Sequence, residues 1–136
     1  EMLRPQGERH RRAEARRVSV EPGTAQWVEP YPGLRIELIS PLLRLLPTLW
    51  VHEPASGWLL TSDAFTHGDA AAADGLSKFR WFSLADTRPI AEHVRAVVDG
   101  RAVRAVGPGY GRLFAADEVA AATGAVAAEI ERRGIA

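Results

Sequence analysis

Apolar and polar residues alternate through much of the first half of the chain. In the segment 34–38 every second residue is leucine or isoleucine, and this period of two is typical of a half-buried strand. The apolar segments 49–52 and 58–61 flank five residues rich in turn formers, which predicts a β-hairpin. A shorter strand is predicted at 18–20. The first half is therefore expected to be mainly β-sheet.

In the second half the apolar spacing changes to that of helices. One helix is predicted to begin at Asp86 or Thr87 and to end before Gly100. Its apolar face is formed by Ile90, Val94, Val97 and Val98. A strand at 102–106 and a second helix near the C-terminus are predicted to follow. Strands followed by helix, strand and helix indicate an α+β fold, a mixed sheet with helices on one face.

Length and charge narrow the class of protein. With 136 residues, the chain is expected to be one domain or a piece of one. The 17 basic and 17 acidic residues cancel, so no nucleic-acid partner is expected. No apolar segment approaches the roughly 20 residues that span a bilayer, and no membrane partner is expected. The absence of cysteine excludes disulfides and thiolate metal sites, and fits a cytoplasmic protein.

The first 17 residues differ from the rest and are predicted to form an N-terminal arm, separate from a domain at 18–136. The arm contains six arginines and three glutamates. It could bind nucleic acid or a partner, or it could be a solvated tail, and the lack of aromatic residues favours the tail. The chain opens with Glu1 rather than methionine, so we expect a trimmed protein or a piece of a longer one.

Asp63 is the main candidate for chemistry. A predicted buried strand runs directly into the segment Ser62-Asp63-Ala64-Phe65, which places a carboxylate at a strand's C-terminal end, where α/β folds commonly build their sites. Alternatively, Asp63 forms a turn by accepting backbone N–H bonds. His67, Asp69 and Asp74 would complete an oxygen-rich cation site with it, although a polar loop also explains them. His52 and His93 are expected at the surface.

The segment 61–65 resembles the Ser-x-Asp-Ala-Phe stretch of metallo-β-lactamase-fold proteins, most closely those of the flavodiiron branch. From about 34 to 114 the order of features is similar to the C-terminal half of such a domain. The resemblance implies half of an αββα sandwich with Asp63 as a metal-bridging carboxylate. It also places His67 near a position where that family often has a histidine. A bridging carboxylate holds two cations close enough to clamp one substrate or hydroxide.

The chain departs from the family pattern at most other ligand positions. Leu45-Leu46-Pro47 stands where a metal-binding His-Trp-Pro is expected, and nothing in 1–33 resembles the family's N-terminal ligand cluster. Tyr110 replaces the histidine of a Pro-x-His-Gly turn; a neutral phenol is a poor ligand for zinc or ferrous iron, although tyrosine can bind ferric iron. The candidate metal ligands are therefore Asp63, His67 and Tyr110, and no catalytic residue is predicted.

Three functions follow from this pattern. In the first, the chain is a subunit that pairs with another chain, an intact or N-terminal-half homologue, to form a metal-dependent hydrolase or oxidoreductase complex containing iron or zinc. A half-fold leaves sheet edges and apolar faces uncovered, so a second protein chain or a homo-oligomer is expected. The alternative is a metal-free binding or structural module of the same fold. The third is a complete enzyme with a mononuclear site of Asp63, His67 and Tyr110.

Overall fold

The computed structural model describes residues 17–66 and 71–135. They form a five-stranded sheet in which the strands lie side by side in sequence order. Strands β1 to β4 are each antiparallel to the next, and β5 is parallel to β4. The strands are β1 (Ala25–Tyr31), β2 (Leu34–Ile39), β3 (Trp50–Glu53), β4 (Trp58–Ser62) and β5 (Ala105–Pro108).

Helices connect β4 to β5 and follow β5. Two 3-10 helices span Ala72–Lys78 and Arg80–Leu84, and the α-helices are α1 (Arg88–Asp99) and α2 (Val119–Arg133). The start of α1 agrees with the prediction: Thr87 is its N-cap residue and Gly100 follows its end. The mixed sheet with its accompanying helices confirms the predicted α+β class. None of the helices within 17–66 and 71–135 is long and apolar enough to cross a bilayer.

One face of the sheet packs on the helices. The sheet residues Trp50, Leu59 and Val106 are completely buried and belong to one core with the apolar sides of both α-helices. Phe65 lies edge-on to Trp50 and to Phe114, with ring centroids 6.2 and 6.4 Å apart. Phe65, which follows β4, therefore closes the core together with Trp50 and Phe114 at one end of the sheet.

The opposite side of the sheet, called the outer face here, is also apolar. The strand registers align Leu38 with Val51, Val51 with Leu60 and Leu60 with Gly107, and residues aligned across strands share a face. Leu34, Ile36 and Leu38, which the alternation correctly assigns to a half-buried strand, belong to this outer face. It is Glu37 and Ile39 that point to the helices, where they are buried.

Several predicted elements are displaced. The strand predicted at 18–20 is wrong, because 17–20 have no regular structure, whereas β1 at Ala25–Tyr31 was not predicted. The turn at Gly33, whose φ is 88°, folds β1 back onto β2 as a hairpin and so fixes β2's partner. The strand predicted at 102–106 begins at Ala105. Apart from Arg17, the predicted N-terminal arm lies outside the described residues.

Candidate functional site

Three loops meet at one end of the sheet. Since β2 and β4 run in the same direction and β5 is parallel to β4, the loop 40–49 and the segments after β4 and β5 leave the sheet together. Ser62 is aligned with Pro108, and the Gly109 amide donates a 2.6 Å hydrogen bond to the Ser62 carbonyl. The structure therefore brings the segments carrying Asp63 and Tyr110 to the same edge, called the Asp63 edge here.

Asp63 lies in a tight turn with unusual backbone geometry. Ser62 and Phe65 have positive φ angles of 50° and 58°, a left-handed conformation that costs free energy for residues other than glycine. The turn is held by Thr61, whose hydroxyl donates to the Ala64 carbonyl at 2.9 Å and whose carbonyl accepts the Ala64 amide at 3.1 Å. Phe65 is buried, so core packing fixes the turn while Asp63 stays half-exposed.

The first 3-10 helix packs directly against the end of this turn. A Cβ atom at Gly75 would lie only 1.6 Å from the Thr66 carbonyl oxygen, so no other residue fits without moving the helix. Thr66 in turn donates its hydroxyl to the Ser62 carbonyl at 3.0 Å. The backbone around Asp63 is thus fixed from both sides.

A cation already lies near Asp63. Lys78, the only lysine in the chain, is half-buried at the end of the first 3-10 helix. Burial lowers the pKa of Lys78, and the negative charge of Asp63 opposes that shift. Within 17–66 and 71–135, no group donates a hydrogen bond to the Asp63 carboxylate. The two side chains form no ion pair among the described residues, so Lys78 is a nearby positive charge, and it would repel a metal ion bound at Asp63.

The remaining predicted ligands do not gather around Asp63 in the described structure. Tyr110 is 60 % exposed, and Leu45 and Leu46 are also exposed, at 42 % and 67 %. Asp74 is exposed as well. Across 17–66 and 71–135 there is no group of three or more His, Cys, Asp or Glu side chains that could hold a metal ion. The described donors are the carboxylate of Asp63, with Lys78 nearby, and the exposed phenol of Tyr110. By themselves they do not fit a metal ion.

His67 and Asp69 lie outside the described residues. The metal set of Asp63, His67 and Tyr110 therefore stays a prediction, as does the mononuclear enzyme built on it.

A buried polar cluster lies at the C-terminal end of α1, where Arg101 follows the helix. The guanidinium of Arg101 donates two hydrogen bonds of 2.7 Å to the Glu37 carboxylate, from Nε and Nη2. His52 Nδ1 lies 3.4 Å from Glu37 Oε2. The prediction that His52 is at the surface was wrong, since only 4 % of it is exposed. No local sequence signal marks the pair Glu37 and Arg101, which are 64 positions apart.

The charges in this cluster support a structural role. The hydrogen bonds from Arg101 lower the pKa of Glu37 against the opposing effect of burial. His93, also predicted to be exposed, is half-buried on α1, and its Nε2 is buried without a hydrogen-bond partner in the described structure. Burial and then the charge of Arg101 lower the pKa of His93. The cluster ties the end of α1 to β2 and β3, away from the Asp63 edge.

Comparisons with known proteins identify similar structures but no similar sequences. No family model and no curated protein matches the chain. The peroxy diiron form of chemotaxis sensor ODP is 12 % identical with a TM-score of 0.59, over 78 % of this chain and 49 % of that one. The apo state of chemotaxis sensor ODP from T. denticola gives 13 % and 0.59 over the same shares.

A diflavin flavoprotein fragment (1–254) from Nostoc sp. PCC 7120 is 21 % identical with a TM-score of 0.51, over 80 % of this chain and 48 % of that one. At such identities the likeness shows the fold and not the activity. The chain shares the α+β fold of these structures, and it spans about half of their length.

Proposed function

We propose that this chain is a metallo-β-lactamase-like subunit that lacks most metal ligands and pairs with another chain, an intact or N-terminal-half homologue. The complex would be a metal-dependent hydrolase or oxidoreductase, with Asp63 as this chain's contribution. The observation that carries the proposal is a fixed carboxylate at the loop-bearing edge of the sheet, without a set of further ligands among the described residues.

The similar structures support the need for a second component. Their chains are about twice as long as the part that this chain matches, and one of them is described as a diiron species. If this chain forms one half of such a domain, the missing ligands have to come from another polypeptide. Iron or zinc would then be held mainly by that polypeptide's side chains.

In this arrangement the residues around Asp63 act as a rigid mount. Phe65 in the core and Gly75 against Thr66 fix the turn. No flexible loop has to become ordered when Asp63 contacts the partner, and the free-energy cost of such ordering is avoided. The positive charge of Lys78 opposes metal binding at Asp63, so the partner's ligands have to supply most of the binding.

Native mass spectrometry of the protein isolated from its source, combined with metal analysis, tests the proposal. We expect a mass that contains a second chain and one or two metal ions. Asp63→Ala and Asp63→Asn should lose metal but keep the second chain, because both remove the negative charge and neither disturbs the core. Asp74→Ala, an exposed carboxylate on the neighbouring 3-10 helix, is the matched control and should keep both.

From the native source, a species that contains this polypeptide alone, without a second chain or a metal ion, would contradict the proposal. Unchanged metal content in Asp63→Ala would contradict the role of Asp63 while leaving the pairing in place.

A specific feature favours the second candidate, a metal-free binding or structural module. The positive charge of Lys78 near Asp63 opposes a metal ion, and the exposed Leu45, Leu46 and Tyr110 make the edge suited to apolar contacts. If this candidate is right, Asp63→Ala will change neither metal content nor the mass of the complex. Leu46→Ser will instead reduce the fraction of this chain that carries a bound second chain in native mass spectra.

A further inference from the structure

The outer face of the sheet is apolar and poorly covered. Trp58 and Leu60, on alternate positions of β4, are 38 % and 45 % exposed, although Leu59 between them is completely buried on the helix side. Leu38 and Val51 extend the apolar surface across the neighbouring strands and are half-buried. A sheet with two apolar faces is normally covered on both, and an exposed apolar patch of this kind marks an interaction surface.

The β4–β5 side of the outer face carries a ridge, defined here as Trp58, Leu60 and Leu113. These side chains close over Gly107: a Cβ atom there would lie 2.8 Å from Leu60 Cδ2, 3.6 Å from Leu113 Cδ2 and 3.9 Å from Trp58 Cε3. All three are exposed, Leu113 to 51 %. The ridge therefore presents bulky apolar groups to a surface opposite.

The β1–β2 side of the outer face carries a groove with a volume of about 400 Å³. It is lined by Val18, Val28, Glu29, Pro30, Ile36 and Leu38. The only charged residue among these, Glu29, accepts a 2.9 Å hydrogen bond from the Gly33 amide in the hairpin turn. A groove of this size and lining can accept a large apolar side chain.

Ridge and groove lie on opposite sides of β3, the central strand. A two-fold axis parallel to β3, lying between two outer faces that pack against each other, would place the ridge of one molecule over the groove of another, and the reverse contact would form at the same time. This reciprocity is the requirement for a closed two-fold interface, in which one patch is complementary to itself.

Charges on the outer face also suit a second identical molecule. The aligned positions in its centre, Leu38, Val51, Leu60 and Gly107, are all uncharged. Glu53 lies at the end of the face, where its carboxylate accepts the amides of Ala55 and Ser56 at 2.9 and 2.8 Å. The centre of such an interface is therefore uncharged, and the carboxylate of Glu53, on the same face of β3 and beside Trp58, is held by the amides of its own turn.

We propose that a second copy of this chain docks on the outer face, forming a two-fold dimer in which each ridge fills the groove of the other molecule. The dimer goes beyond the proposed function and does not depend on Asp63 or a metal. If a different chain also pairs through the outer face, it has to displace the second copy, so the dimer would be the resting state of the free subunit.

Sedimentation velocity of the full 136-residue chain over a wide concentration range tests the dimer. We expect a monomer–dimer equilibrium, and we expect Trp58→Ser and Leu60→Ser each to raise the dissociation constant by about tenfold or more, as for buried interface anchors. Leu84→Ser is the matched control: Leu84 is 82 % exposed but lies in the second 3-10 helix, so its variant should dimerise like the unchanged chain.

A charge-pair rescue tests the orientation. Leu60→Lys on the ridge and Val28→Glu in the groove should each prevent dimerisation, and the double variant should restore it, because the two-fold arrangement pairs the new charges twice. Thermal unfolding followed by circular dichroism establishes that each variant is folded.

A wild-type monomer at all concentrations, an open-ended aggregate, or a dimer unaffected by Trp58→Ser and Leu60→Ser would overturn the proposal. So would failure of the rescue in a folded double variant. Asp63→Ala should dimerise normally, which separates this result from the metal test of the proposed function.

Discussion

The two faces of the sheet have similar side chains and different surroundings. On the helix side, Trp50 and Leu59 are completely buried, whereas on the outer face Trp58 and Leu60 are more than one-third exposed. Leu59 and Leu60 are neighbours in the same strand. Hydrophobicity alone therefore does not decide which face forms the core. The helices decide it, so folding stability should depend on the helix side and association on the outer face.

The largest expected contrast comes from the two tryptophans of the hairpin. Trp50→Ala should reduce the free energy of unfolding by about 3–5 kcal/mol, because it leaves a cavity in a sealed core. Trp58→Ala should cost about 1 kcal/mol or less in the monomer, since part of the ring is already in water. Urea unfolding of both variants at low protein concentration measures the difference. Equal losses would show that the outer face is part of the folding core.

The next effect concerns the ion pair on the helix side. Arg101→Met should cost about 3 kcal/mol, because it leaves the Glu37 carboxylate, which is 8 % exposed, without its partner. Arg88→Met removes an exposed pair with Asp86 and should change the unfolding free energy little. A Glu37→Gln, Arg101→Met double variant should recover part of the loss. A small effect of Arg101→Met alone would mean that water reaches Glu37.

Two glycine substitutions compare the Asp63 turn with the ridge of the outer face. Gly75→Ala should cost about 2 kcal/mol, because its Cβ meets the fixed Thr66 backbone. Gly107→Ala should cost about 0.5 kcal/mol or less, because its Cβ meets Leu60, an exposed side chain that can turn away. Thermal unfolding of the two variants checks the order. A reversed order would mean that the ridge is more rigid than the Asp63 turn.

The smallest expected effect is a dependence of stability on pH from the helix side. The pKa of His93 is lowered from 6.5 and that of Glu37 from 4.5, so the unfolded chain binds more protons than the folded one at both groups. Stability should therefore fall as the pH decreases below about 6.5, and further below about 4.5. His93→Gln should remove the first part of the decrease in urea midpoints measured across this range. An unchanged profile would contradict the assignment to His93.

The sequence pattern was most informative where a single chemical rule applied. The hairpin of β3 and β4 and helix α1 follow from turn formers and from the cap and stop residues around Thr87 and Gly100. The side of β2 that faces the core could not be predicted, because leucine and isoleucine alternate with a glutamate that is itself buried. Burial of Glu37 depends on Arg101, far away in the sequence.

At the candidate site, position was more predictable than chemistry. A carboxylate directly after an apolar strand indicated where the edge would be, and the described structure places Asp63 at an edge shared with Tyr110. The sequence did not indicate that Lys78 lies near Asp63, because this proximity arises from the packing of the first 3-10 helix on the turn.

The left-handed backbone of the Asp63 turn has an evolutionary consequence. Its shape is set by Phe65 between Trp50 and Phe114, that is, by the same packing that keeps the protein folded. Selection for folding alone therefore preserves the turn, whichever residues occupy the exposed positions beside it. Exposed positions at the same edge, such as Leu45 and Tyr110, can therefore change without altering the backbone that holds Asp63.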